Sequence, residues 1–366
     1  MSFLSKYAQF SNGKKRPSGT GPYPVYGGNG ILGYADDYNM ENGIIVGRVG
    51  VYCGSVFLEK GRCWVSDNAI KAESTDDSNL EFMYYLLKSL KLNERRIGTS
   101  QPLLTQGILN SIEVDIPDIT CQERIASILE SIDEKIKNNK EINDNLLQQA
   151  SAIFDNALHQ SDAVSYTDLG ALGDVKGGKR LPKGINLISE PNSHPYIRVR
   201  DLNNVVFASL SNDYEYVDDE TQKTISRYIA NAGDVLISIV GTIGLTAIVD
   251  KSLDNANLTE NCVKVTNLNG ISPEYLLLYL RSNAGIEAIA KGTVGAVQLK
   301  LPIKNIQAIP VPILPDSDAE QLNGLLRTIF IQIAENVTES KCLAEIRDAL
   351  LPKLMSGELN VSELDL

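Results

Sequence analysis

The chain has 366 residues, 43% of them hydrophobic, and a formal net charge of −12 at neutral pH. This length favours two domains, and no stretch approaches the roughly 20 apolar residues of a membrane-spanning helix. The five cysteines contain no CxxC pair, which argues against a disulfide framework or a metal site, and no signal peptide is evident. We therefore expect a cytoplasmic protein, in which any DNA binding would need a local basic patch.

The first 120 residues predict a mixed α/β domain. Apolar patterns predict strands over 43–49, 51–58, 64–72 and 112–116, and an amphipathic helix over 80–92. The stretch 28–33, within a glycine-rich loop at 27–34, satisfies GxGxxG, the motif of dinucleotide-binding proteins. The residues that follow it are a poor helix start, so we interpret the motif as a tight turn.

Residues 121–158 have the apolar spacing of a coiled-coil seam and contain no proline or glycine. They predict a helix of roughly 55 Å. The pattern returns 197 positions later, and an asparagine interrupts both copies. The seam residues are Ile125, Leu129, Ile132, Ile136, Asn139 and Leu146 in the first copy, and Leu322, Leu326, Ile329, Ile333, Asn336 and Leu343 in the second. We expect the helices to pair; the alternative is two amphipathic helices packed on separate cores.

The motifs before the first long helix recur before the second. Residues 233–241 match 42–50, residues 258–264 match 65–71, and the second copy carries an insertion within 185–228. We therefore expect an internal duplication with pseudo-twofold symmetry, in which two similar α/β domains are separated by two long helices that pair as an antiparallel coiled coil. The predicted segments are a first domain at 1–120, a central helix at 121–160, a second domain at 161–318, a C-terminal helix at 319–357 and a tail at 358–366.

Basic residues at matching places are the candidate binding residues. Two matching turns contain Lys14, Lys15 and Arg16 in the first half and Lys179 and Arg180 in the second. Arg198 and Arg200 alternate on an expected strand over 196–200, so that both would point to one face. Arg48 lies beside a glycine, where a salt bridge at the edge of the core is an equal alternative. Arginine suits contact with guanine or phosphate, whereas a single charged run is more often solvated surface.

Nothing in the sequence supports catalysis. The chain has two histidines, His159 and His194, and neither has a counterpart in the other half. A histidine-based triad or metal centre shared by the halves is therefore excluded.

The order of these motifs resembles the specificity subunits of type I restriction–modification systems. The residues that carry the resemblance are YPVYGGNG at 23–30, GRVG at 47–50, WVSDNAI at 64–70, QERI at 122–125, IPVP at 309–312 and LLPKLMSGEL at 350–359.

The resemblance implies a non-catalytic chain with two target-recognition domains. Each domain would read one half of a split sequence in double-stranded DNA, and the helices would set the unread spacer. It also implies two methyltransferase subunits and motor–nuclease subunits as partners, which would carry the methyl donor and ATP, leaving this chain without a cofactor. The alternative, favoured by the net charge, is a coiled-coil scaffold that does not touch DNA.

Overall fold

The structure is a computed structural model that describes residues 1–98, 102–296 and 298–361. The last five positions of the predicted tail, and short gaps inside both predicted domains, lie outside the described residues. The chain divides into unit 1, Met1–Asn139 with Thr338–Leu366, and unit 2, Lys140–Val337. Among the helices that the structure describes, none has the length and apolar character needed to cross a membrane.

Unit 1 is built on a six-stranded sheet with the order β2-β7-β5-β6-β3-β4, in which only the β3–β6 pair is parallel. A separate pair joins β1 to β8. Helix α1 begins where the Asn79 side chain accepts from the Phe82 amide, and it buries Phe82, Met83 and Leu87 in the core. The strands are β1 (Ser2–Phe3), β2 (Ala8–Asn12), β3 (Tyr23–Gly27), β4 (Gly30–Ala35), β5 (Met40–Gly47), β6 (Val56–Val65), β7 (Ala69–Ser74) and β8 (Glu113–Val114). The helices are α1 (Leu80–Ser89), α2 (Gln106–Asn110) and α3 (Ile119–Gln160), which continues into unit 2.

Unit 2 has a five-stranded sheet of order β10-β17-β14-β15-β12, a three-stranded sheet of order β11-β16-β13, and a β18–β9 pair. Its strands are β9 (Ser165–Asp168), β10 (Asp174–Gly177), β11 (Tyr196–Ile197), β12 (Phe207–Ala208), β13 (Ile229–Ala230), β14 (Val235–Ser238), β15 (Thr246–Val249), β16 (Ala256–Leu258), β17 (Cys262–Thr266) and β18 (Pro310–Ile313). Its helices are α4 (Leu169–Leu172), α5 (Asp219–Ile225), α6 (Pro273–Arg281), α7 (Asn283–Gly292), α8 (Ile303–Gln307) and α9 (Asp316–Met355), which ends in unit 1.

Each unit contains a four-stranded sheet core of the same topology, which confirms the predicted duplication. The order β2-β7-β5-β6 in unit 1 is repeated as β10-β17-β14-β15 in unit 2, and both orders are wholly antiparallel. The units differ beside this core. Unit 1 adds the β3–β4 hairpin, whereas the predicted insertion in unit 2 supplies β11, β12 and α5.

The long helices pair in both units, as predicted. In unit 1, Asn139 is 1% exposed and donates from Nδ2 to Glu339 Oε2 at 2.7 Å. In unit 2, Asn336 donates from Nδ2 to Asn143 Oδ1 at 2.8 Å, and Asn143 donates to the Ile333 carbonyl oxygen at 3.3 Å. Within each unit one half of α3 lies against the opposite half of α9, so the pairing is antiparallel.

The ends of the predicted seam also pack on the cores of the units. Ile125 and Leu129 belong to the core of unit 1, and Leu322 and Leu326 to that of unit 2. The ends of the seam therefore pack on separate domain cores, as in the alternative interpretation, while in the middle of the seam the two helices pair directly. Ile333 is buried as well, and the remaining seam residues are half-buried: Ile132, Ile136, Leu146, Ile329 and Leu343.

Two strand predictions in unit 1 were wrong. The strand expected over 51–58 begins at Val56, because Gly50 and Gly54 take positive φ angles of 72° and 89° and the chain between them turns. The stretch 64–72 contains a turn between β6 and β7. The GxGxxG motif forms the tight turn that was expected: Gly27 pairs with Gly30 in the β3–β4 hairpin, and a strand follows where a dinucleotide site requires a helix.

Candidate nucleic-acid interface

The two basic turns are fixed to their sheets by equivalent main-chain hydrogen bonds. In unit 1 the Gly13 amide donates to Ala69 O at 3.0 Å, and in unit 2 the Gly178 amide donates to Cys262 O at 3.0 Å. The next amides repeat the match: Lys14 donates to Val65 O at 3.0 Å and Lys179 to Leu258 O at 2.8 Å. The side chains of both lysines are exposed.

Glycine is needed at the start of both turns because backbone approaches closely. A Cβ atom on Gly13 would collide with the Ser66 carbonyl oxygen, and a Cβ on Gly178 with the Thr259 carbonyl oxygen. Ser66 and Thr259 open two matching polar turns, 66–68 and 259–261. The basic turn and the polar turn therefore touch in each unit.

Each polar turn is hydrogen-bonded to a third segment, which we call the glycine loop. The glycine loop spans residues 47–54 in unit 1 and 238–244 in unit 2. The Arg48 amide donates to Asn68 O at 3.1 Å, and the Ile239 amide donates to Asn261 O at 2.8 Å. Both loops close on themselves in the same way, with Gly54 N to Gly47 O at 2.7 Å and Gly244 N to Ser238 O at 3.0 Å. We call the basic turn, polar turn and glycine loop of one unit its frame.

The side chains on the frame of unit 1 are apolar, aromatic and basic. Val51 is 87% exposed and Tyr52 is 53% exposed at the tip of the glycine loop. Arg16 donates from Nη1 to Leu32 O at 3.3 Å, which ties the basic turn to the β3–β4 hairpin. Within the described ranges, no carboxylate forms an ion pair with Lys14, Lys15 or Arg16.

The frame of unit 2 borders a groove of about 420 Å³ with different chemistry. Arg180, Arg198 and Arg200 line it, together with Tyr196, whose hydroxyl donates to Lys179 O at 2.8 Å. Its remaining lining residues are Leu181, Leu187, Val199, Thr259, Glu260 and Asn261. Residues 196–200 come from the insertion, so the insertion has added arginines to the duplicated frame.

Carboxylates hold these arginines. Arg180 is 80% exposed, and its Nε donates to Glu260 Oε1 at 2.6 Å. Burial acts to raise the pKa of Glu260, but the Arg180 guanidinium and neighbouring hydrogen bonds outweigh it and hold that pKa below its usual value.

Arg198 and Arg200 both contact the carboxylate of Glu215, although not through the strand that the sequence predicted. β11 ends at Ile197, and residues 199–202 form a 3-10 turn, so the expected strand alternation over 196–200 was wrong. Arg198 Nη1 nevertheless pairs with Glu215 Oε2, and Arg200 Nη2 lies 3.4 Å from the same oxygen. Glu215 was missed because only the fold of the insertion brings it beside the arginines.

Arg48 and Arg198 differ from the other candidates in pointing inward. Their Nε atoms are buried and have no hydrogen-bond partner among the described residues, and the same is true of Arg198 Nη2. Lys14, Lys15, Arg16, Lys179, Arg180 and Arg200 are exposed. Lys179 also lies over the ring of Tyr228, 5.4 Å from the ring centroid. The structure thus divides the predicted residues into an exposed set and two inward arginines.

Both frames occur in units of one architecture, a mixed α/β domain completed by paired halves of long helices. The family model of the type I restriction modification DNA specificity domain matches the chain twice, at residues 6–148 and 163–332. These matches cover more than half of the chain. The chain therefore belongs to the type I restriction–modification specificity subunits, a family whose function is DNA specificity.

Individual relatives agree with this assignment. The type I restriction enzyme MjaIX specificity subunit of Methanocaldococcus jannaschii is 24% identical over 315 residues, which cover 78% of this chain and 70% of the relative. The EcoprrI specificity subunit of Escherichia coli is 31% identical over 112 residues, 30% of this chain and 28% of that subunit. The crystal structure of the S subunit from M. genitalium matches with a TM-score of 0.60 at 20% identity, covering 96% of this chain and 95% of the other, which shows a shared fold.

Proposed function

We propose that each unit reads one half of a bipartite sequence in double-stranded DNA through its frame. The observation that carries this proposal is the pair of frames, because the main-chain hydrogen bonds repeat while the side chains that they present differ. We expect two domains with the same main-chain scaffold and different surface side chains when both domains perform the same task on different targets. The exposed basic residues would contact DNA: Lys14, Lys15, Arg16, Lys179, Arg180 and Arg200.

The proposal assigns recognition to segments 1–120 and 161–318 and partner docking to the two long helices. Exposed apolar side chains on these helices support docking, since isolated water-facing helices favour polar residues there. They are Ile119, Ile142, Leu325, Ile331 and Ile346, between 42% and 53% exposed. The partners would be two adenine methyltransferase subunits with the methyl donor, and motor–nuclease subunits with ATP, in the cytoplasm. The helices would set the length of the unread spacer.

The experiment that tests this function is long-read sequencing of adenine methylation in cells. Cells carrying this gene with its methyltransferase gene are compared with cells that lack only this gene. The expected result is a split methylated motif that disappears with the gene. An insertion of seven residues, two turns, at matching places in α3 and α9 should then lengthen the spacer and leave both half-sites unchanged. Methylation that persists without the gene would contradict the proposal.

A scaffold that does not touch DNA is the second candidate. The net charge of −12 and the neutralisation of Arg180 and Arg198 by Glu260 and Glu215 favour it. Titrating the assembled complex with DNA at two salt concentrations separates the two. A reader of DNA shows binding that weakens as salt rises, because contacts to phosphates release counterions. A scaffold shows no binding at either concentration.

A further inference from the structure

Arg48 in the glycine loop of unit 1 is a half-buried arginine whose guanidinium has no partner among the described residues. Its Nε atom is buried and unbonded, whereas its two Nη atoms reach the surface and form no hydrogen bond within the described ranges. The salt bridge that the sequence left as an equal alternative is therefore not formed there. Arg198 differs, because its Nη2 is buried and its Nη1 pairs with Glu215. Arg48 thus keeps two adjacent Nη donors free.

Main-chain hydrogen bonds hold Arg48 on both sides. Its amide donates to Asn68 O at 3.1 Å, and its carbonyl oxygen accepts from the Leu104 amide at 2.8 Å. These bonds fix the residue to the polar turn and to the segment that precedes α2. Because Nε is buried, protein surrounds the side chain up to that atom, and only the end of the guanidinium faces outward. Packing therefore directs the two Nη donors.

The second copy of the frame forms without a cation at this position. The equivalent residue in unit 2 is Ile239, whose amide donates to Asn261 O at 2.8 Å as the Arg48 amide does to Asn68 O. Ile239 is 4% exposed and belongs to the core of unit 2. The glycine loop therefore does not need an arginine for its own structure. A half-buried cation without a counter-charge is costly to desolvate, and a ligand that brings acceptor atoms would offset that cost.

The free donors of Arg48 fit the acceptor pattern of guanine. Guanine presents O6 and N7 as neighbouring acceptors in the major groove, and a guanidinium with two adjacent free donors can bind both. A phosphate would also accept from arginine, but phosphate contacts carry no sequence information and would serve both frames equally. Arginine in one frame and isoleucine in the other favour a base contact, because base contacts are what differ between two half-sites.

We propose that Arg48 reads a guanine in the half-site recognised by unit 1, through its two Nη donors. This inference rests on the proposed function, and it adds the base and the residue that recognises it. The frame of unit 2 makes no such contact at the equivalent position, where Ile239 has no side-chain donor.

The first measurement uses the full chain assembled with its methyltransferase subunits. Guanines of the methylated motif are replaced one at a time by 7-deazaguanine, which lacks the N7 acceptor and still pairs with cytosine. We expect the affinity of the wild-type complex to fall about 2- to 12-fold at one guanine, which corresponds to half the free energy of a bidentate base contact. In an Arg48→Ile complex, the same replacement should have no further effect.

Arg48→Ile introduces the residue that the second copy carries, so the glycine loop should remain folded. Methylome sequencing should show one guanine position of one half-site relaxed, with discrimination falling about 5- to 150-fold. Arg48→Lys keeps the charge but loses the planar pair of donors, and it should relax the same position. Lys6→Gln is the control, because Lys6 is exposed and precedes β2 at the end opposite the basic turn. It should leave the motif unchanged.

Three results would overturn the inference. They are a wild-type complex that tolerates 7-deazaguanine at every position, an Arg48→Ile complex that keeps full discrimination, and an Arg48→Ile complex that loses affinity equally for all sequences, as loss of a phosphate contact would cause. A wild-type complex with no split motif would instead refute the proposed function, so the two failures are distinguishable. Circular dichroism melting checks that each variant is folded. If Arg48→Ile is not, the wild-type and Arg48→Lys measurements decide the question.

Discussion

Asp133 joins three elements of unit 1, and its removal should cost more than any surface ion pair. Its Oδ1 pairs with Arg347 Nη1 of α9 at 2.6 Å, and its Oδ2 accepts from the Tyr85 hydroxyl of α1 at 2.8 Å. Tyr85 is 3% exposed, so Asp133→Ala leaves a buried hydroxyl without this acceptor. A hydrogen bond to a charged group contributes about 1.5–3 kcal/mol, and an unsatisfied buried donor costs about 1–3 kcal/mol. Because Asp133 is 28% exposed and water can partly replace it, we expect a total loss of about 3 kcal/mol.

Trp64 makes this loss measurable in one unit. It is the only tryptophan of the chain and lies in β6, so its fluorescence during urea unfolding follows unit 1. Lys135→Ala is the control, because Lys135 pairs with Glu339 at 3.3 Å with both side chains about half exposed, and such pairs contribute about 1 kcal/mol at most. Asp133→Asn, which keeps an acceptor for Tyr85, should lie between the two. An Asp133→Ala protein as stable as Lys135→Ala would refute this reasoning.

Three further predictions concern the frames, the helix pair and a buried carboxyl. Gly13→Ala and Gly178→Ala should each abolish recognition of one half-site, because the added methyl group displaces a basic turn. Methylome sequencing of cells with either variant should show that one half-site is relaxed. An unchanged motif would contradict the role of that turn. Asn139→Ala should destabilise unit 1 by about 1–2 kcal/mol in urea unfolding, since it removes a buried amide that donates to the Glu339 carboxylate across the helix pair. An unchanged stability would contradict this role of Asn139. Burial raises the pKa of Asp201 to about 6 despite the opposing effect of Arg200. The folded state therefore binds the carboxyl proton of Asp201 more tightly than the unfolded state does. The free-energy cost of ionising this buried carboxyl is absent below about pH 4 and complete above pH 6 to 7. The stability of the wild type relative to Asp201→Asn should fall as pH rises through that window, and a pH-independent difference would refute the assignment.

Periodicity predicted the long helices, and repetition predicted the duplication, because both signals are local or can be seen by aligning the chain with itself. Asn139 and Asn336 were recognisable as polar positions in an apolar seam. The site was less predictable. Glycine positions broke the strand expected over 51–58, and the 3-10 turn after Ile197 replaced the expected alternation of arginines.

The carboxylate partners of the groove arginines, Glu260 and Glu215, could not be predicted from the sequence, for a physical reason. Glu260 is 80 positions from Arg180, and Glu215 lies in an insertion with no counterpart in the first half to align with it. Tertiary folding alone brings these charges together. The matching of 66–68 with 259–261 was nevertheless visible, and it marked Glu260 as a residue at an equivalent place.

The frames are held by backbone amides and carbonyl oxygens, with glycine required at only a few positions. Main-chain hydrogen bonds do not depend on the identity of the side chains that project from them. On the function proposed above, substitutions at Val51, Tyr52 or Thr242 would therefore leave the scaffold intact while altering the surface offered to DNA. A new target would then require only a handful of codon changes in one half of the gene, while the other half would keep the old target.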